Sequence, residues 1–141
     1  MTDPRSLYHA TIVKHDRSPL HEGPLPDATR SVTLDNPLCG DEVTVHVVLE
    51  GQVVRAATFE ARGCALARAA ASIATDRAIG RTATEIRAMS EDVTALVRGA
   101  PGDPVPSELG DAEAFAGVRS FKSRRTCVTL AYRALASCLD V

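Results

Sequence analysis

The stretch EVTVHVVLEGQVVRAATFEARGCALARAAASIATDRAI, residues 42–79, changes its period halfway along, and that change decides the fold. In its first half Val43, Val45 and Val47 alternate with Thr44, His46 and Val48, the two-residue period of a strand with one buried face. Glu50-Gly51 is a turn signal, so residues 42–49 and 52–60 are expected to pair as an antiparallel hairpin. Beyond Ala65 the period becomes helical. Leu66, Ala69, Ala70 and Ile73 share one face, and Arg68, Ser72, Thr75 and Asp76 form a polar stripe. So small a surface lets this helix, residues 65–79, lie close on the sheet.

Upstream, residues 30–34 supply a short first strand and complete an antiparallel meander. Residues 18–29, with Pro19, Gly23, Pro24 and Pro26, carry too many breakers for regular structure and read as a crossing loop. Before them, Asp3 is expected to cap a helix with Pro4 in its first turn, with Leu7, Tyr8, Thr11, Ile12 and His15 at helical spacing and an end near Arg17. Downstream, Thr82 and Glu85 have capping-box spacing, Ile86, Met89, Val93, Leu96 and Val97 repeat with helical period, and Gly99 is placed to end that helix. APGDPVPSELG, residues 100–110, is expected to be an exposed excursion, followed by a short helix over 111–117 and a last helix over 123–139. The sum is an α+β fold, a small three-stranded antiparallel sheet packed with about five helices, in one domain over residues 1–141.

Composition narrows the partners. A chain of 141 residues that is 45% hydrophobic holds one compact core and is too short for two ordinary domains. Its net formal charge of −2 and the lack of a basic block argue against nucleic acid. No apolar run has membrane-spanning length, and MTDPRSLYHA lacks the basic and apolar regions of a secretion signal, so the cytoplasm is the expected location. In that reducing compartment the four cysteines point to metal or catalytic chemistry rather than disulfides.

Cys39 and Asp41, in NPLCGDEVTV, set a thiol and a carboxylate two positions apart around a glycine, a spacing that can converge on one ion. Cys64, after Gly63 at a strand-to-helix junction, and Cys127, near the start of the last helix, would complete three thiolates and a carboxylate, a tetrahedral zinc set. Both would lie in the partial positive charge of a helix N-terminus, which favours thiolate. Such a centre carries excess negative charge, and Arg124, one turn before Cys127, is the best placed guanidinium; a solvated arginine at a helix start is the plain alternative. Spacing alone leaves the metal open. The intervals match no short zinc-finger pattern, free cysteine is often simply buried, and Asp41 has a role as a turn or cap residue. Cys138 lies eleven residues beyond Cys127 on the same helix, roughly 16 Å away, and is set aside as a structural thiol. His46 reads as a strand-surface residue and His9 and His15 as packed or solvent-facing on the first helix, while His21 is a loop residue able to replace Asp41 as ligand.

A resemblance adds to this. LYHATIVKHDRSPLHEGPL, NPLCGDEV, FEARGCALARAAASIATD and SFKSRRTCVTLAYRAL resemble, in order and across nearly the whole chain, the signature blocks of the SufU/IscU family of iron–sulfur assembly proteins, the NifU-like N-terminal group. Within it the chain is similar to the SufU branch. It has the longer excursion between second and third cysteines, residues 81–119, and Thr126 precedes Cys127 where IscU-type scaffolds carry histidine. The resemblance implies an IscU-like fold and a zinc-dependent sulfurtransferase that receives persulfide sulfur from a SufS-type, pyridoxal-phosphate cysteine desulfurase and passes it to a downstream acceptor of the SUF assembly system. It maps the sulfur acceptor to Cys39, the zinc ligands to Cys39, Asp41, Cys64 and Cys127, and an arginine implicated in activity with the partner to Arg124. Where the family usually carries serines after the second cysteine this chain has Ala67 and Ala70, with Arg68 nearby, and Asp16 and Ser18 replace the usual tyrosine and asparagine after the first-helix histidine. Four ligands saturate a tetrahedral ion, so the implied mechanism has Cys39 leave the metal when a partner histidine replaces it. Two other readings use the same residues: a scaffold on which an iron–sulfur cluster is built, and an adaptor whose zinc is structural.

Overall fold

The computed structural model describes residues 9–139, the side chain of Ser107 excepted. The expected first-helix cap at Asp3 and Pro4 lies outside the described residues. Three strands, β1 (Arg30–Asn36), β2 (Asp41–Glu50) and β3 (Val53–Arg62), form one antiparallel sheet in the order β1-β2-β3. The alternation read from the sequence governs its faces. Val43, Val45 and Val47 have no exposed surface, while Thr44 and His46 point to the open face. There Thr44 bonds Thr33 at 2.7 Å, and His46 joins Ser31 at 2.6 Å to Glu60 at 2.8 Å. Val48 breaks the alternation by being buried, and beside it the register shifts between Val48 and Leu49, where β3 carries the extra residue Arg55. β1 is longer than expected: it continues to Asn36, which pairs with Asp41 and leaves residues 37–40 as a hairpin loop.

Helices α1 (Ala10–Arg17), α2 (Ala65–Ala78), α3 (Ala83–Arg98) and α4 (Arg125–Ser137) cover the inner face together with a 3-10 segment, Ser107–Ser120, and a 3-10 turn, Lys122–Arg124. α2 is central, in contact with β3, α1 and α4. Its alanines 67, 69, 70, 71, 74 and 78 are all fully buried, which permits the close approach their size suggests. The expected polar stripe on α2 is only partly a surface. Ser72 and Thr75 are buried, because α1 and the crossing loop close over them. The Ser72 hydroxyl meets His15 Nδ1 at 2.7 Å and accepts the Leu20 N–H at 2.8 Å, and Thr75 donates to the Ala71 carbonyl four residues back at 2.8 Å. His15 is itself buried and reaches Asp111 through Nε2 at 2.8 Å, tying α1 to the 3-10 segment. His9 is the N-cap of α1, accepting the Thr11 N–H at 3.1 Å.

The capping box of α3 is present, Thr82 and Glu85 each bonding the other's backbone N–H. Gly99 ends the helix for a reason other than left-handed geometry. Its φ is −64°, and a Cβ there would lie 2.8 Å from Arg119 Nε. Arg119, buried, donates to the carbonyls of Leu96 at 2.7 Å, Asp103 at 2.6 Å and Pro104 at 3.2 Å, and so pins the excursion to α3. That excursion is shorter than expected. Residues 100–106 are exposed, but the 3-10 segment starts at Ser107, kinks at Gly110 (φ 60°) and extends past the expected short helix to Ser120.

Candidate metal centre

The loop over residues 37–40 is organised by the residue before it. The Asn36 carbonyl accepts the N–H of Cys39 at 3.1 Å and of Gly40 at 2.9 Å, its Oδ1 accepts the N–H of Leu38 at 3.3 Å, and Gly40 supplies the left-handed φ of 72° that returns the chain to β2. Cys39 is exposed at the tip, beside a Leu38 that is 95% exposed. Asp41 opens β2 in phase with Val43, Val45 and Val47, so the same alternation that buries the valines buries its carboxylate, to 1% exposure.

Asp41 meets the N-terminus of α2. Oδ1 accepts the backbone N–H of Cys64, the N-cap, at 2.9 Å, and Oδ2 lies 3.8 Å from Cys64 Sγ. One carboxylate oxygen is thus occupied by the helix end and the other is left for the thiols. Gly63 makes the approach possible. Its φ of 136° is glycine geometry, and a Cβ there would stand 2.9 Å from Asp41 Cα and collide with Oδ1.

Cys127, in the first turn of α4, has no exposed surface, and its Sγ lies 3.7 Å from that of Cys39. The ligand atoms of Cys39, Asp41 and Cys127 all fall within 4.8 Å of one another; Cys64 stands outside that trio and joins it through Asp41. Burial, the Asp41 carboxylate and the neighbouring sulfurs push the Cys127 thiol well above its ordinary range. Arg124, exposed at the N-cap of α4, bonds Cys127, and that bond together with the charges of Cys64, Cys127 and Cys39 raises its pKa above the usual value.

The donor set suits a zinc ion. Three sulfurs and one free carboxylate oxygen are the soft-rich tetrahedral set that zinc takes, and Zn–S bonds of about 2.3 Å give a tetrahedral S–S edge of about 3.8 Å. The Cys39–Cys127 separation of 3.7 Å is already near that edge.

Other candidates lie elsewhere. His21 is bonded to Asp76 at 2.9 Å, twelve residues beyond Cys64 on α2, and does not reach the group. His46 sits on the open face. Cys138, at the far end of α4, is buried with Sγ 3.5 Å from the Val45 carbonyl, and burial pushes its pKa up to about 11. Asn36 is a part of the site that the sequence reading missed, and Gly63 was read there only as the glycine flanking Cys64, not as the residue that lets Asp41 approach. The signal for Asn36 was the Asn-Pro turn pair, and that for Gly63 was a glycine at the one position between a strand end and a cysteine.

The chain is similar to known proteins over nearly its whole length. Residues 7–128 match the profile of the NifU-like N terminal domain. The chain is 36% identical over 129 residues to the iron-sulfur cluster assembly scaffold protein IscU of Streptococcus pyogenes serotype M1, covering 92% of this chain and 80% of that one. It is 35% identical over 130 residues to the zinc-dependent sulfurtransferase SufU of Bacillus subtilis (strain 168), covering 92% and 87%. Among solved structures, the NifU-like N-terminal protein of Brucella abortus superposes with a TM-score of 0.85 at 28% identity, over 94% of this chain and 92% of that chain.

Proposed function

The chain belongs to the NifU-like N-terminal domain family, its relatives including one named an iron–sulfur cluster assembly scaffold and one named a zinc-dependent sulfurtransferase, and we propose that within it this protein is a zinc-dependent sulfurtransferase. Cys39 accepts persulfide sulfur from a SufS-type cysteine desulfurase and hands it to a later member of the SUF system. The observation that carries the reading is an asymmetry among the four proposed ligands, Cys39, Asp41, Cys64 and Cys127. Cys39 is exposed on a loop, whereas Cys64 is half-buried and Asp41 and Cys127 are buried on regular elements.

Zinc, when bound, keeps its thiol ligands deprotonated at neutral pH. The chain does the rest. Asp41, anchored by the Cys64 N–H, offers a single oxygen in a fixed direction, and Arg124 offsets negative charge beside the sulfurs. Cys39 lies exposed on a four-residue loop and not in the core, so its thiolate is the one placed to meet a persulfide on a partner. In the transfer its Sγ attacks the outer sulfur of the partner's persulfide. A new S–S bond forms on Cys39, the partner's S–S bond breaks, the proton stays on the transferred sulfur, and the partner's cysteine leaves as thiolate, with no net oxidation.

A scaffold role is the second reading, favoured by the IscU scaffold name of several relatives, one of them 36% identical. Against it stands Thr126, exposed at the position where the resemblance to IscU-type scaffolds implies a histidine. One experiment separates them: purify the protein anaerobically, measure zinc and iron, then incubate it with desulfurase and L-cysteine and map sulfur by mass spectrometry. One zinc per chain and an added sulfur on Cys39 are expected. An iron–sulfur chromophore as the main state, or a Cys39 that never gains sulfur, would overturn the proposal.

A further inference from the structure

Asn36 directs its backbone carbonyl and both ends of its side-chain amide at the loop that carries Cys39. Its backbone carbonyl takes the N–H groups of Cys39 and Gly40, and its side-chain oxygen takes that of Leu38. The remaining group, the amide Nδ2, donates to Cys39 Sγ at 3.4 Å. The side chain is not a surface amide that happens to touch a sulfur. Asn36 is 5% exposed, beneath a loop whose other members, residues 37–40, are all exposed. Oδ1 is occupied by the Leu38 N–H, which fixes the amide orientation and leaves the NH₂ on the sulfur side.

A thiol at the tip of an exposed turn has three staggered positions open to it. Here one of them is selected, with Sγ turned back over the site, 3.7 Å from Cys127. We propose that Asn36 is a positioning residue for sulfur transfer, its amide N–H holding Cys39 Sγ in the orientation from which it attacks the partner's persulfide. The inference rests on the function proposed above. It adds the residue that guides the nucleophile once Cys39 is no longer held by a metal. The acceptor half of Asn36 shapes the loop and the donor half aims the sulfur, so the two halves are separable by substitution.

Asn36→Ser keeps a short, neutral acceptor for the Leu38 N–H but lacks a donor long enough to reach Sγ. Asn36→Asp keeps the acceptor, removes the donor and adds a charge. Zinc-loaded wild type and both variants are mixed with persulfide-loaded desulfurase in single turnover, and sulfur on Cys39 is followed at several desulfurase concentrations. Cobalt is also loaded in place of zinc, and the sulfur-to-cobalt charge-transfer band reports the ligand set. In Asn36→Ser, transfer is expected to slow by roughly three- to tenfold, the lower figure from losing one rotamer choice in three and the upper from losing a hydrogen bond to a charged sulfur. The desulfurase concentration giving half-maximal rate and the cobalt band should stay as in wild type, and Asn36→Asp should be at least as slow. A wild-type rate in Asn36→Ser with slowing confined to Asn36→Asp would make added charge the cause and defeat the proposal. So would a changed cobalt band, which would make Asn36 a support of the ligand set, or a loss confined to half-saturation, which would make it a docking residue. Absence of sulfur on wild-type Cys39 would defeat the sulfurtransferase reading itself.

Discussion

The carboxylate of Asp41 faces two ways: Oδ1 receives the Cys64 N–H at 2.9 Å and Oδ2 looks toward the cysteine sulfurs. A first residue of a strand and the cap of a helix, twenty-three positions apart in the chain, are thereby locked in one geometry.

Asp41→Asn should test that division of labour. The amide keeps an oxygen for the Cys64 N–H but loses the charge, so unfolding by urea should change little while zinc affinity, measured by chelator competition, falls by at least roughly tenfold. Asp41→Ala removes the cap as well and should cost about a further 1 kcal/mol of stability. Equal zinc affinity in Asp41→Asn and wild type would show that the carboxylate is only a cap.

Gly63→Ala should be among the most damaging single-methyl additions in the chain. The new Cβ would meet Asp41 Cα at 2.9 Å in a backbone conformation of φ 136°. A loss of more than about 2 kcal/mol in denaturant unfolding is expected, with weakened zinc retention. Stability within about 0.5 kcal/mol of wild type would mean that the β3–α2 junction shifts freely.

Cys39→Ala should abolish persulfide uptake and desulfurase stimulation while physical association, followed by calorimetry or pull-down, persists, because removing a nucleophile leaves the surface around it. Arg124→Ala should lower stimulation with fold and zinc retained, since the guanidinium is exposed and touches the site through its charge. If a zinc-loaded Cys39→Ala protein stimulates the desulfurase like wild type, the adaptor reading takes over.

Cys138 predicts an alkaline limit. Burial raises its pKa from 9.0 to about 11, so the folded state holds the proton more tightly than the unfolded one. That contribution is complete below pH 9 and is lost as pH rises through about 11. Cys138→Ala should flatten the fall of stability between those values in urea titrations at fixed pH. An unchanged slope would show that the thiol ionises in place without penalty.

The alternation of residues 42–49, the turn at Glu50-Gly51 and the capping box at Thr82 were legible because each is a local signal whose meaning depends on its near neighbours. The length of the excursion was not. Residues 107–120 have no helical period strong enough to announce a 3-10 segment, and what draws it against α3 is Arg119 reaching carbonyls fifteen to twenty-three positions away. Nor could the helical pattern of α2 reveal that Ser72 and Thr75 lie inside, since that depends on α1 and the crossing loop packing over them.

At the candidate site the division is similar. Residue types and local spacing were enough to name Cys39, Asp41, Cys64, Cys127 and Arg124 as candidates, because thiols and carboxylates next to glycines and helix starts carry their chemistry with them. Distance between them was beyond the sequence. The 88 positions separating Cys39 from Cys127 shrink to 3.7 Å only when the β1–β2 hairpin and the start of α4 meet at one end of the sheet, and that meeting is set by burial of the valines of β2 and the alanines of α2. Which thiol is exposed, and that Asn36 holds it, follow from the same packing: the core fixes three of the four groups in place and leaves Cys39 on the loop.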